Sequence, residues 1–219
     1  VRRELDGLED DVRSFVRMVR DFGAPWEELE FGFGMGGEAP VSIEVEGGSI
    51  QLRGMIDRLD CPGGDLELEG IRVVDYKTGR NTRDFREGKG VFNGGRRLQL
   101  GLYALAVEEC LSRPVETGQY HYPTRGGQNQ IFSFGRDELE GIRSLVGHML
   151  QTVAEGNFIP TEDAADCTYC DYSEVCRVRR SDYGDALSPL AKWSKEHFGT
   201  GEYPAFTRLE EIRTFEDEG

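Results

Sequence analysis

Apolar residues recur every three to four positions in three segments of the chain, residues 5–20, 96–111 and 136–154. This spacing gives an α-helix one apolar face, so each segment is predicted to be an amphipathic helix. Residues 41–45 instead alternate apolar and polar side chains, Gly47-Gly48 follows as a turn, and residues 50–59 return as a second strand. This pattern predicts a β-hairpin.

Three more segments, residues 66–77, 119–124 and 129–134, are typical of β-strands because they combine β-branched and aromatic side chains. The resulting order of elements is helix, adjacent strands, helix, two strands and helix. It predicts an α/β fold with a mixed central β-sheet flanked by helices. We expect a core domain over residues 1–160, a cysteine-rich segment over 161–180 and a C-terminal extension over 181–219 whose role the sequence does not indicate.

The net charge of −15, from 41 acidic and 26 basic residues among 219, argues by itself against a nucleic-acid partner. A site that binds divalent metal also collects carboxylates, however, and local basic patches remain at Arg96-Arg97 and at Arg177, Arg179 and Arg180. No apolar run is long enough to cross a membrane, so no membrane partner is expected. The five cysteines are typical of a metal site in a reducing compartment rather than of disulfides, which predicts a cytoplasmic protein.

The stretch VVDYKTGR, residues 73–80, places an acid and a lysine two positions apart at the end of a predicted buried strand. Residues i and i+2 of a strand share a face, so Asp75 and Lys77 should project to the same side. A surface ion pair at a strand end would explain this pattern equally well.

A second acid, Asp57, lies in the stretch GMIDRLD near the end of the hairpin. If its strand pairs with the strand that carries Asp75, the two carboxylates converge, and such hard oxygen ligands suit Mg²⁺ or Mn²⁺. Lys77 would then hold or activate a water, or stabilise charge on a phosphate. A turn-capping carboxylate is an equally simple explanation for Asp57 alone.

The stretch QLGLY places Gln99 and Tyr103 at i and i+4, on one face of the second predicted helix. Both side chains have polar tips that can reach a phosphate oxygen or a water. Taken alone, the pair is better explained as a half-buried tyrosine beside an exposed amide.

In this order, GMIDRLD, VVDYKTG and QLGLYALA resemble the motifs of RecB-like nucleases in the PD-(D/E)XK superfamily. The resemblance implies a restriction-endonuclease-like core and Mg²⁺-dependent cleavage of DNA. It assigns Asp57 and Asp75 as metal ligands, Lys77 as the catalytic lysine, Gln99 and Tyr103 as positioning residues, and Glu30 as a further metal ligand.

The resemblance also implies an exonuclease of DNA repair or recombination, rather than an endonuclease, that works with a helicase domain or subunit. The alternative is a non-catalytic DNA-binding or scaffolding domain that retains the nuclease fold.

Cys167, Cys170 and Cys176 form a C-x₂-C-x₅-C pattern that resembles the late part of the iron–sulfur motif of AddB-type nucleases. There, three late cysteines and one early cysteine hold a [4Fe–4S] cluster, which requires four thiolates. No cysteine precedes Cys61, which is predicted to lie in a turn, and Cys110 is predicted to lie on the inner face of a helix. Zinc remains the alternative metal for these thiolates.

The family's upstream histidine has no counterpart either, because His121, His148 and His197 all follow the catalytic strand. Since the first residue is Val1, we expect the nuclease core to be truncated at its N-terminus, with the early cysteine and histidine lying upstream.

Overall fold

A computed structural model describes residues 2–22, 26–61, 70–80, 82, 85, 90–161, 166, 170–172 and 189–215. Two compact units divide the chain, Val1–Ser144 and Leu145–Gly219. The first unit contains the central sheet and every described residue of the three motifs.

The sheet of the first unit has five strands in the spatial order β1-β4-β5-β6-β7. These strands are β1 (Trp26–Phe33), β4 (Gly54–Asp60), β5 (Ile71–Tyr76), β6 (Val115–Tyr122) and β7 (Gln130–Gly135). The β5–β6 pair is parallel and the other pairs are antiparallel, so the sheet is mixed. Two shorter strands, β2 (Val41–Val45) and β3 (Gly48–Leu52), form a separate hairpin.

The helices of this unit are α1 (Arg2–Phe22), α2 (Gln99–Leu111) and α3 (Arg136–Glu140), and α4 (Ile142–Ala154) begins at its end. Helix α2 connects the parallel strands β5 and β6, as such a pair requires. It approaches the sheet closely at Gly118, where a Cβ would lie 3.3 Å from Leu100. The predicted α/β class, a mixed central sheet with flanking helices, is confirmed.

Three details differ from the sequence-based prediction. Strand β1 includes the glycine-rich FGF segment, whose sequence indicates only a helix break. The returning strand of the hairpin is interrupted at Arg53, so only β3 pairs with β2, and β4 joins the large sheet. The predicted helix over residues 136–154 is divided at Gly141 into α3 and α4.

Helix α1 contacts the rest of the unit through both polar and aromatic side chains. Ser14 donates a hydrogen bond to Asn129, and Asp11 accepts one from the Arg125 backbone. The ring of Phe15 lies edge-on to Tyr76, with centroids 5.3 Å apart. Part of the apolar stripe is exposed instead, namely Leu8, Val12 and Val16.

The second unit contains α5 (Pro189–His197) and α6 (Pro204–Arg213). Phe206 of α6 is fully buried, and its ring lies 5.5 Å from that of Trp193. Arg213 forms an ion pair with Asp166 at 2.9 Å, and the Ser194 hydroxyl donates to the Pro160 carbonyl. Within the described part of the chain, no helix combines the length and apolar character needed to span a membrane.

Candidate active site

Two acids occupy facing positions on the central strands β4 and β5. The register pairs Arg58 with Val74 and Leu59 with Val73, so its continuation by one residue places Asp57 opposite Asp75. Facing residues of an antiparallel pair lie on the same side of the sheet. The Asp57 carboxylate also accepts a hydrogen bond of 2.7 Å from the backbone N–H of Tyr76, which ties it to the end of β5.

Lys77 neutralises the more buried of these two acids. Its ammonium lies 2.6 Å from Asp75 Oδ2, and the two side chains are 35% and 5% exposed respectively. Burial raises the pKa of Asp75 above its ordinary value; the nearby charge of Asp57 raises it further, and Lys77 opposes both effects. The site therefore holds more negative charge than one lysine balances, which is the electrostatic condition that favours a bound cation.

A chain of polar contacts runs from Lys77 onto helix α2. The ammonium donates a hydrogen bond of 2.6 Å to Gln99 Oε1, and Gln99 Nε2 donates one of 2.8 Å to the Tyr103 hydroxyl. Burial raises the pKa of Tyr103, and the negative charges of Asp75 and Asp57 raise it further. Tyr103 therefore keeps its proton, which remains available as a hydrogen-bond donor.

Two aromatic rings also lie beside Lys77 and Tyr103, and sequence reasoning missed both. Tyr120 lies opposite Asp75 on β6, and Lys77 Nζ is 5.3 Å from its ring centroid, a cation–π distance. Phe33 of β1 packs edge-on against Tyr103, with centroids 6.2 Å apart. The alternation in QYHY indicates which Tyr residues share a face, but the strand register that brings Tyr120 to Lys77 is not encoded locally.

The carboxylates of Asp57 and Asp75 are suitable ligands for a divalent cation, but they make up only part of its ligand set. Asp57 and Asp75 supply hard oxygen donors, and Mg²⁺ is commonly held by one or two carboxylates plus waters and substrate oxygens. Among the residues that the structure describes, no three His, Cys, Asp or Glu side chains come together to hold an ion. Glu30 is exposed and has a positive φ of 53° on β1, and it does not complete such a set.

The cysteines are only partly covered by the described residues. Cys170 is exposed, whereas Cys167 and Cys176 lie outside the described residues. Cys61 is buried and its Sγ accepts a hydrogen bond from Arg113. The predicted inward position of Cys110 is wrong: its side chain is exposed, because the buried face of α2 runs through Leu100, Ala104 and Val107.

Comparison with known proteins points to one family. The model of the PD-(D/E)XK nuclease superfamily matches residues 3–177 of this chain, which include all three motifs and the cysteine cluster.

Individual relatives match shorter stretches. An ATP-dependent helicase/deoxyribonuclease subunit of Symbiobacterium thermophilum is 46% identical over 110 residues, 50% of this chain and 9% of that protein. The protein of the same name from Clostridium kluyveri is 40% identical over 81 residues, 36% of this chain and 6% of that protein. A CRISPR-associated exonuclease Cas4 of Francisella tularensis subsp. novicida is 23% identical over 141 residues, 63% of this chain and 62% of that protein. The matches thus span less than two thirds of each relative's length.

Proposed function

Because this chain belongs to the PD-(D/E)XK nuclease superfamily, we propose that it hydrolyses DNA phosphodiester bonds with the help of Mg²⁺ or Mn²⁺. One observation carries the proposal. Asp57 of β4, Asp75 and Lys77 at the end of β5, and Gln99 and Tyr103 of α2 form one connected group at the point where the β4–β5 ladder ends. A domain that only bound DNA would not require this combination.

In the proposed reaction, a water oxygen attacks phosphorus, the bond to the 3′ oxygen breaks, and a proton reaches the leaving oxygen. Asp57 and Asp75 would hold the cation, which would act as a Lewis acid toward the phosphoryl oxygen and would lower the pKa of the attacking water. Lys77, fixed between Asp75 and Gln99, places its positive charge where the phosphoryl group gains negative charge. The Tyr103 hydroxyl orients a substrate oxygen or the water.

The catalytic assignment is tested with Asp75→Asn and Lys77→Met in a DNA cleavage assay with Mg²⁺. Each variant should lose at least about 100-fold in rate, since each removes charge from the reacting centre. Asp171→Asn and Lys195→Met make the same chemical changes at exposed positions and should cleave like the unmodified protein. Undiminished cleavage by both site variants would overturn the assignment.

Removal of the metal gives a second test of the same site. Chelation with EDTA should abolish cleavage, and added Mn²⁺ should restore it, because the proposed reaction relies on the cation to lower the pKa of the attacking water. Mn²⁺ binding should weaken strongly in Asp57→Ala. We also propose Glu30, which lies on β1 between the residues paired with Arg58 and Ile56, as a weaker contributor. Glu30→Gln should therefore reduce Mn²⁺ affinity less than Asp57→Ala does.

We further propose that cleavage is exonucleolytic, as the name of the Cas4 relative suggests. We also propose that it is coupled to a helicase domain or subunit, as the names of the two helicase/deoxyribonuclease relatives suggest. Linear DNA should then be degraded while a covalently closed circle of the same sequence persists. Cleavage of the closed circle at a comparable rate would instead indicate an endonuclease.

The spacing of Cys167, Cys170 and Cys176 supports the proposal of an iron–sulfur cluster in the protein to which this chain belongs. Of these three cysteines, the exposed Cys170 is the one that the structure describes. Anaerobic reconstitution with iron and sulfide, in a protein that also carries the proposed early cysteine, should give visible absorbance that Cys170→Ser loses. Stoichiometric zinc without iron would overturn this assignment.

A further inference from the structure

Regular pairing between β4 and β5 ends just before the two acids. The last paired residues are Arg58 and Val74, so Asp57 and Asp75 lie one position beyond the ladder. From this point β4 continues along β1, while β5 stays paired with β6 as far as Tyr76 and His121. Each acid is therefore held by a different neighbouring strand, and backbone pairing between their own strands does not set the distance between them.

Two contacts of Tyr76 connect β4 and β5 beyond the end of their ladder, one on each side of the sheet. On the side of the acids, its backbone N–H donates to Asp57 Oδ2 at 2.7 Å. On the opposite side, its hydroxyl accepts a hydrogen bond of 3.2 Å from Arg58 Nη1. Since Arg58 directly follows Asp57 and Tyr76 directly follows Asp75, both contacts join the same two short segments.

The side chains on the opposite face are themselves fixed. Arg58 is 2% exposed, and its Nε lies 2.5 Å from Asp60 Oδ1, an acid that is fully buried. The ring of Tyr76 is held edge-on between Phe15 and His121, with centroid distances of 5.3 and 5.7 Å. A guanidinium fixed by an ion pair and a phenol fixed by two rings make a rigid link between the strands.

We propose that Arg58 and Tyr76 are positioning residues that fix the separation of Asp57 and Asp75, and thereby the affinity of the site for a divalent cation. The inference rests on the proposed function, because it assumes that these two acids share an ion. Neither residue needs to touch the ion or the DNA. Loss of the hydroxyl leaves Tyr76 paired with β6 but removes its link to Arg58 of β4, so the N–H that orients Asp57 can shift relative to β4.

Tyr76→Phe is the discriminating variant, because it removes only the hydroxyl and keeps both ring contacts and the backbone N–H. Mn²⁺ affinity, measured by electron paramagnetic resonance without DNA, should fall about tenfold, as for other partners that orient metal ligands. The thermal midpoint should fall by only about 2–4 °C, as expected for one hydrogen bond in a chain of this size. Amide hydrogen exchange at residue 76 should become faster, while exchange at Val73, inside the ladder, should be unchanged.

Tyr122→Phe is the matched control, since it removes a hydroxyl from a buried tyrosine of the same sheet and should leave Mn²⁺ affinity unchanged. Arg58→Lys keeps a charge beside Asp60 but lacks the second guanidinium arm, so it should weaken Mn²⁺ binding as Tyr76→Phe does. Unchanged Mn²⁺ affinity in a folded Tyr76→Phe protein would overturn the positioning role and leave the proposed nuclease function standing. Absence of Mn²⁺ binding by the unmodified chain would overturn both.

Discussion

At the scale of single residues, the position of Lys77 is set by two acceptors rather than one. Asp75 Oδ2 and Gln99 Oε1 each lie 2.6 Å from its ammonium, so the lysine cannot swing toward solvent without breaking two polar contacts. With Asp75 as its sole acceptor, the Lys77 ammonium could still move in one direction. The amide of Gln99 is in turn oriented by Tyr103, which makes the helix an active part of the site.

Gln99→Met, which keeps the length of the side chain but removes its amide, should therefore reduce the rate of DNA cleavage. We expect a loss of about 10- to 100-fold, the range produced by small displacements of a catalytic group. The free energy of unfolding should change by less than about 1 kcal/mol, because the contact is only partly buried. Steady-state kinetics and urea denaturation measure the two quantities.

Gln51→Met, at an exposed position of β3, is the control and should match the unmodified chain in both measurements. A Gln99→Met protein with unchanged turnover would show that Lys77 does not depend on the helix.

Contacts between side chains of the candidate site were predictable wherever local spacing sets the geometry. Spacing i, i+2 predicts the contact of Asp75 with Lys77, and spacing i, i+4 predicts that of Gln99 with Tyr103. The placement of Tyr120 beside Lys77 depends on the register of a parallel pair joined through a helix, which no short pattern encodes. The inward position predicted for Cys110 is wrong for a different reason. Small residues as well as large ones form the buried face of α2, so the pattern of large apolar residues did not identify that face.

At the scale of elements, α2 packs closely against Ile142 and Phe92, and glycine makes this approach possible. A Cβ at Gly101 would lie 2.7 Å from Ile142 Cβ and 2.9 Å from the Phe92 ring. Both neighbours are almost fully buried and have little freedom to retreat. The helix is therefore held at a distance that a larger residue would not allow.

Inserting a methyl group into a packed core usually costs about 1–3 kcal/mol, and alanine in place of glycine normally returns about 1 kcal/mol in a helix. Gly101→Ala should therefore lower the free energy of unfolding by up to about 2 kcal/mol. Gly32→Ala, on β1 with no atom within 4 Å of the added Cβ, should be close to neutral. A Gly101→Ala protein more stable than the unmodified chain, by chemical denaturation, would contradict this account of the packing.

Most elements were predictable because each has a clear period, but membership of a sheet was not. The alternation of Val41, Ile43 and Val45 predicts a strand, yet it does not indicate that this strand pairs with β3 alone. Strand β1 was missed because glycines interrupt its pattern; Phe31 and Phe33 are its buried residues. Tertiary pairing, rather than local propensity, decided both cases.

At the scale of the whole molecule, the sheet carries buried charge on the face opposite the proposed active site. Arg58, Asp60 and His121 are almost fully buried there, and Arg72 lies beside Asp60. Burial, together with the charges of Arg58 and Arg72, lowers the pKa of His121 to about 4. His121 Nε2 also lies 2.9 Å from Gln119 Oε1, within the polar interior.

The free energy of unfolding should therefore depend on pH through the protonation of His121. In the unfolded chain the pKa of this histidine is about 6.5. As the pH falls from about 6.5 to 4, His121 therefore becomes protonated in the unfolded chain but stays neutral in the folded chain. The free energy of unfolding should decrease over this window by up to about 3 kcal/mol. Burial raises the pKa of Asp60 and Asp75, which acts in the opposite direction, so the histidine contribution must be isolated by difference.

The difference between the unmodified chain and His121→Gln, in urea denaturation at about pH 7 and about pH 4.5, isolates that contribution. His121→Gln should lose less stability on acidification than the unmodified chain. Parallel profiles for the two proteins would mean that His121 titrates normally in the fold.

The central claim is that Asp57 and Asp75 share one divalent cation, and anomalous diffraction from a crystal of this chain soaked in Mn²⁺ tests it most directly. We predict a single strong anomalous peak coordinated by both carboxylates, beside the Lys77 ammonium, and its loss in Asp75→Asn. A fully soaked crystal with no peak between the two acids, or with Mn²⁺ bound at another site alone, would contradict the account.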